Sequence, residues 1–304
     1  MNRRLILAAA VTVTAITALA GCSAGGDPLS KGSGSTSGSD SIIIGSLNYP
    51  ESETLAAIYS QALQGAGVKV QEKFNIGARE ITMPALKDGS IDLIPEYSGS
   101  VLTYLDPKST ASAPDDVMTE LQKKLPSGLK ALKQSAAQDS DVLAITQETA
   151  DKHNLKKISD LKDVAGSFTV GGNPEFQTRQ AGMVGLKSVY GLTFGGYKNL
   201  DEAGPLTITA LANGQVQAAD MFSTDPSMDE KHFVALADDK HLFAAQNVFP
   251  LIAAGKASDT VQKTLDAVSA QLTTQELIAL NEKVTNGESF AKAATEWLSA
   301  KGLK

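Results

Sequence analysis

A stretch that the chain writes twice constrains its architecture more than any other feature. Pro84 to Gly99, PALKDGSIDLIPEYSG, returns in weaker form as Thr209 to Thr224, TALANGQVQAADMFST. In each copy an Ala-Leu pair (Ala85-Leu86, Ala210-Leu211) leads to a polar turn closed by glycine (Gly89, Gly214). A run of strand character follows, then an aromatic and a serine (Tyr97-Ser98, Phe222-Ser223). The strand-glycine units Ile42 to Ser46 and Phe168 to Gly172 echo each other at nearly the same separation. Duplication of this kind predicts two lobes of similar plan. Helix, glycine and strand in succession is ordinary for an α/β chain. It does not explain an aromatic and a hydroxyl just past both strands, where open α/β sheets place their ligand groups. Tyr97, Ser98 and Phe222 are therefore candidate binding residues, and core packing is the alternative for each.

The amino-terminal residues follow different rules. Arg3 and Arg4 precede an uncharged run, Leu5 to Ala20, broken by Thr12, Thr14 and Thr17, a pattern that suits an export signal over residues 1–21 better than a membrane span. Leu19-Ala20-Gly21-Cys22 resembles a bacterial lipobox, which implies cleavage before Cys22, lipidation of Cys22 and an extracytoplasmic chain anchored to the cell membrane. A secretory peptide without lipid is the alternative. Residues 22–40 are mostly glycine and serine, too poor in apolar surface to offset their ordering entropy, and predict a flexible tether. With one cysteine in the whole chain, no intrachain disulfide or thiolate metal site is expected. The 34 acidic against 27 basic residues are dispersed, and no basic cluster interleaves with aromatics, which argues against nucleic acid as a partner.

The remaining residues suffice for one large or two modest domains. Ile42 to Ser46 reads as a buried strand, and Leu55, Ile58, Tyr59, Ala62 and Leu63 recur at helical spacing behind the loop of Tyr49. Val68 to Phe74 alternates as a strand, and the neighbours Arg79 and Glu80 read as an ion pair. We expect lobe one over 41–140, a passage into lobe two near the strand Val142 to Thr146, helices at Gln147 to His153 and Ser159 to Val164, and lobe two over 141–246. Asn247 to Ala254 reads as the returning strand, so that 247–304 rejoins lobe one with three helices, the first capped by Ser258. Arg179 follows the loop aromatic Phe176. It is either a helix arginine in solvent or a counter-charge for a ligand carboxylate.

Convergent catalytic groups are not evident. His153, His232 and His241 lack ligand spacing, and no GxSxG, GxxxxGK[ST] or HExxH motif occurs. Glu96 and Asp225 are the carboxylates that an exported hydrolase would have to pair across the lobes. Aromatics and one arginine at loop ends suit reversible binding of a small molecule better than catalysis, with no cofactor and no metal.

Several segments resemble the substrate-binding proteins of osmoprotectant ABC importers, the glycine betaine, carnitine and choline binders. They are Gly45-Ser46, Tyr49-Pro50-Glu51-Ser52, Asp92-Leu93-Ile94-Pro95-Glu96-Tyr97-Ser98-Gly99, Pro174-Glu175-Phe176 with Arg179, Tyr190-Gly191, and Phe222-Ser223-Thr224-Asp225. The resemblance implies a periplasmic-binding-protein fold of two α/β lobes, two crossover strands and a ligand cleft closed by hinge motion. It also implies an ABC permease as partner and an aromatic cage for a quaternary ammonium group, each ring contributing roughly 0.5 to 2 kcal/mol. By that resemblance Tyr49, Tyr97, Phe176 and Phe222 would supply rings, Arg179 the counter-charge, and Ser98, Thr224 and Asp225 neighbouring polar contacts. The chain departs from the family's pattern at Ile94 and Leu143, where tyrosines are usual, and at Ser52, where glutamine is usual. The expected function is solute capture for import, by a monomer. A sensor or scavenger of the same fold is the alternative, as is a ligand other than a quaternary ammonium.

Overall fold

Each copy of the repeated stretch folds into a helix, a glycine in the left-handed region and a strand at the middle of a five-stranded sheet. The computed structural model describes residues 41–303, so the expectations for the export signal, Cys22 and the tether fall outside the described residues. From its start the described chain runs β1 (Ser41–Gly45), α1 (Pro50–Gly65), β2 (Lys69–Lys73), α2 (Arg79–Asp88), β3 (Leu93–Tyr97), α3 (Ser98–Leu105), α4 (Pro114–Lys124) and β4 (Leu129–Ala131). It continues through β5 (Asp141–Thr146), α5 (Gln147–His153), β6 (Thr169–Gly172), α6 (Gly185–Ser188), β7 (Gly196–Asn199), α7 (Pro205–Ala212), β8 (Ala218–Phe222), α8 (Ser227–Glu230) and β9 (Phe233–Ala235). Strand β10 (Val248–Ala253) then leads to α9 (Asp259–Gln271), α10 (Thr274–Thr285) and α11 (Phe290–Lys301).

The sheets are ordered β2-β1-β3-β10-β4 and β7-β6-β8-β5-β9. Position for position, β1 matches β6, β2 matches β7 and β3 matches β8, parallel in both sheets. Beside each repeated strand lies one antiparallel strand that has crossed from the other half of the chain: β10 against β3, β5 against β8. Parallel strands need crossover connections, and the helices that supply them cover both sheet faces. That is why β1 and β3 are almost continuously apolar and buried. The fold is thus the two-lobed α/β binding-protein architecture that the duplication and the resemblance predict.

Lobe one has the larger core, built from Ile42, Ile44, Leu93, Phe249 and Leu251 of its sheet with Leu55, Ile58 and Leu63 of α1. The carboxy-terminal helices join this core through Val261, Leu265, Leu277 and Leu298. Their starts are fixed by Ser258, Thr273 and Ser289, whose side chains accept the amides of Val261, Glu276 and Lys292. Trp297 packs as its stripe predicts and donates its ring N–H to Glu276 at 2.7 Å. One expectation changes. The segment expected as a helix from Ser159 is a 3-10 turn over Ile158–Asp163, because the Asp160 carboxylate takes the amides of Lys156 and Lys157 and tightens the backbone there. The strand expected from Val68 to Phe74 is present as β2, at the edge of its sheet with side chains mostly exposed.

Candidate ligand-binding cleft

The carboxyl ends of β1, β3, β6 and β8 aim at one cleft between the lobes. Loop β1–α1 contributes Tyr49, β3 ends on Tyr97, β8 ends on Phe222, β5 begins on Asp141, and the loop after β6 leads to Arg179. An outer chamber of about 280 Å³ is lined from lobe one by Ser100, Thr103 and Tyr104 and from lobe two by Thr178, Arg179 and Val184. A narrower inner chamber, about 20 Å³, adjoins it and is lined by Tyr49, Tyr97, Phe222, Asp141 and Glu202. Arg79, Ser100, Asp141 and Arg179 border both. Tyr49 lies 5.0 Å from Phe222 and 6.2 Å from Tyr97 between ring centroids, tilted by 42° and 32°. The lobe-one ring therefore touches the lobe-two ring across the cleft, and a ligand reaching the inner chamber must part them.

The rings are held from behind by one carboxylate. Glu51 sits in the first turn of α1, where the helix dipole favours an acid, and is buried. Its Oε1 accepts the Tyr97 hydroxyl at 2.6 Å, and its Oε2 accepts the Thr224 hydroxyl and the Asn281 amide, both at 2.6 Å. Burial pushes the Glu51 pKa up, while the three donors work against that rise. Burial together with the nearby Glu51 charge holds the Tyr97 hydroxyl far above its ordinary value, so the phenol stays neutral and donates. Thr224 also offers its amide to Asp139 at 3.1 Å, and Ser140 and Ser223 exchange hydrogen bonds. The crossing segment is thereby stitched to the end of β8 directly beneath the rings.

The charges pair differently from what adjacency suggested. Arg79 and Glu80 do not bond each other, because successive residues at a helix start point apart. Arg79 is buried and clasps Glu96 of β3 through Nε and Nη2 at 2.7–3.1 Å. Although burial opposes it, the Glu96 carboxylate keeps the guanidinium firmly charged. Glu80 reaches across the cleft to Arg179, with hydrogen bonds of 3.0 and 2.8 Å. The carboxylate pair that a hydrolase would need is also not formed: Glu96 is taken by Arg79, and Asp225 accepts the Ser227 amide. Glu202 lies 3.9 Å from Arg179, and burial pushes its pKa up to about 7. Asp141 and Asp220 are raised as well, burial being the first cause for both.

Of the residues singled out from sequence, Tyr49, Tyr97, Phe222 and Arg179 line the cleft together. Thr224 and Asp225 line a small recess behind Tyr49 with Glu51 and Asn281. Ser98 instead ties β3 to the returning chain, donating to the Ala245 carbonyl and accepting the Asn247 amide. Phe176 is packed in the core of lobe two. Sequence reasoning passed over Asp141, Glu202, Asp220 and Tyr104. The one available signal was an aspartate opening the otherwise apolar run of β5.

Residues 40–300 match the protein family described as the substrate-binding domain of ABC-type glycine betaine transport systems. A glycine-betaine-binding protein of Pseudomonas aeruginosa is 27% identical over 70% of this chain and 71% of its own length. A carnitine transport binding protein of Listeria monocytogenes is 24% identical over 81% of each chain. Among solved structures, a glycine betaine/carnitine/choline ABC transporter protein superposes with a TM-score of 0.68 at 22% identity, over 86% of this chain and 99% of that one. With the duplicated sheets and the ring-lined cleft between them, the match along nearly all of the described residues makes this chain a member of the family of substrate-binding domains of ABC-type glycine betaine transport systems.

Proposed function

We propose that this chain captures a quaternary-ammonium solute between its lobes outside the cytoplasm and delivers it to an ABC permease. The observation that carries the reading is the convergence of Tyr49, Tyr97 and Phe222 at the floor of a cleft bordered by buried carboxylates. Ring faces attract a cation that has no hydrogen-bond donors, and the surrounding acid adds a favourable potential. The relatives' names, which speak of glycine betaine and carnitine, support the same solute class. The proposed attachment is the lipid on Cys22, which the lipobox-like run Leu19 to Cys22 supports, with 22–40 as tether; among the described residues no helix is long and apolar enough to cross a membrane. We take the molecule to act as a monomer, with lobe one as 41–140 and 247–304 and lobe two as 141–246.

Calorimetric titration of the purified protein with glycine betaine, carnitine and choline tests the reading. We expect binding of at least one of them, lost in Tyr97→Ala and weakened in Phe222→Ala by roughly three- to thirtyfold, the worth of one ring contact. A folded protein that ignores all three would remove the quaternary-ammonium assignment.

A further inference from the structure

The charge on the lobe-two side of the cleft exceeds what the protein itself neutralises. Asp141 and Glu202 line the inner chamber beside the rings. Asp220 stands two residues before Phe222 on β8, and the β5–β8 register sets Asp141 opposite Phe222. Directly paired residues share a face and so do residues two apart, so Asp220, Phe222 and Asp141 all present to the same side of the sheet. Room for Asp220 is made by Gly172, where a Cβ would come within 3.1 Å of the Asp220 Cβ and 2.8 Å of the Tyr197 hydroxyl.

None of these carboxylates has a good partner among the described residues. Asp220 is 3% exposed, and its Oδ1 has no hydrogen bond. Asp141 accepts no hydrogen bond from another side chain, and Glu202 has only the 3.9 Å approach of Arg179. The two cleft guanidiniums are committed elsewhere, Arg79 to Glu96 and Arg179 to Glu80. A buried carboxylate left unpaired is costly, and crowding three raises that cost. The three carboxylates do not form a metal-holding group among the described residues.

Resting on the ligand-binding reading above, we infer that Asp141, Glu202 and Asp220 form a subsite for an N–H- or O–H-bearing end of a cationic ligand, and that the cleft disfavours a free carboxylate there. A trimethylammonium group could answer the charge from the ring side, yet it has no donor to give to Asp220 Oδ1. A zwitterion would turn its own carboxylate toward three acids, with both arginines already engaged.

Calorimetry with three probes separates the possibilities: choline, which carries a hydroxyl; glycine betaine, which carries a carboxylate; and agmatine, a donor-rich cation without a quaternary head. We expect choline to bind about tenfold or more tighter than glycine betaine, the worth of one charge-assisted hydrogen bond and a relieved repulsion. Asp141→Asn and Glu202→Gln should shrink that preference to about threefold or less, whereas Tyr97→Ala removes the binding of both ligands. Both acid variants remove a partly buried charge crowded by other acids, so their melting temperatures should hold or rise, which reports that they are folded. Glycine betaine binding as tightly as choline, or a preference untouched by both acid variants, would overturn the subsite and leave the quaternary-ammonium reading standing. Agmatine alone binding, sensitive to Asp141→Asn, would keep the subsite and remove that reading. No binding by any probe removes both.

Discussion

Two buried carboxylates in lobe one illustrate how similar residues acquire different work. Glu96 neutralises Arg79 and accepts the Tyr97 amide at 3.1 Å, so its task is to keep a guanidinium from being buried alone. Glu51 neutralises nothing. It gathers three donors and thereby fixes the Tyr97 hydroxyl, Thr224 and Asn281. Glu96→Gln strands the Arg79 charge and should lower stability by about 3–5 kcal/mol in denaturant titration. Glu51→Gln retains one acceptor but turns a second donor toward the Thr224 hydroxyl and the Asn281 amide, and should cost about 1–3 kcal/mol. The second variant should also loosen ligand binding, since the Tyr97 hydroxyl keeps only a neutral acceptor whose own anchors at Thr224 and Asn281 are disrupted; an unchanged affinity would confine Glu51 to a structural role.

At the scale of elements, the repeat explains itself through its two glycines. Gly89 ends α2 with φ +79°, Gly214 precedes β8 with φ +67°, and a Cβ at either position would meet nothing within 4 Å. Space is not what demands glycine there. The demand comes from backbone conformation alone, the left-handed turn that reverses the chain into the strand. Gly89→Ala and Gly214→Ala should therefore each cost about 1–2 kcal/mol, and by similar amounts, because the penalty is conformational and not steric. A large difference between them in thermal melts would mean that the turns are not equivalent. The strands that follow were legible for the same reason: an apolar run after a glycine turn leaves few alternatives. The 3-10 turn at Ile158–Asp163 was not legible, since a side-chain carboxylate competing for backbone amides leaves no periodic trace.

Across the whole molecule, the crowded acid of the cleft sets a pH dependence. Glu202 is raised from its ordinary 4.5 to about 7, first by burial, then against the opposing pull of Arg179 and Arg79 and with help from Asp141 and Glu175. A raised acid favours folding fully below its unfolded value and loses that contribution as pH rises through its folded value. The ligand-free protein should thus melt lower at pH 8 than at pH 5.5, with about 2 kcal/mol at stake from this residue over that range. Glu202→Gln should flatten the curve in differential scanning calorimetry. The lowered Glu80, paired with Arg179, acts in the opposite sense and only at lower pH, where its carboxylate protonates. A bound cation should reverse the trend, since it favours the ionised acids and so binds more tightly as pH rises.

Local pattern specified the duplicated plan, the central strands, the main helices and the aromatic ends of β3 and β8, because periodicity and glycine turns are local properties of the chain. Tyr49, Tyr97, Phe222 and Arg179 were legible as cleft residues for the same reason: each stands at the end of a recognisable strand or loop. What those groups face depends on how the distant segments pack. That packing turned Arg179 to Glu80 and Arg79 to Glu96, drew Phe176 into the core of lobe two, and brought Asp141 and Glu202 from separate segments beside the rings, with Asp220 on the Phe222 face of β8. Charge partners and burial depend on distances between residues far apart in the chain, and no local pattern encodes them.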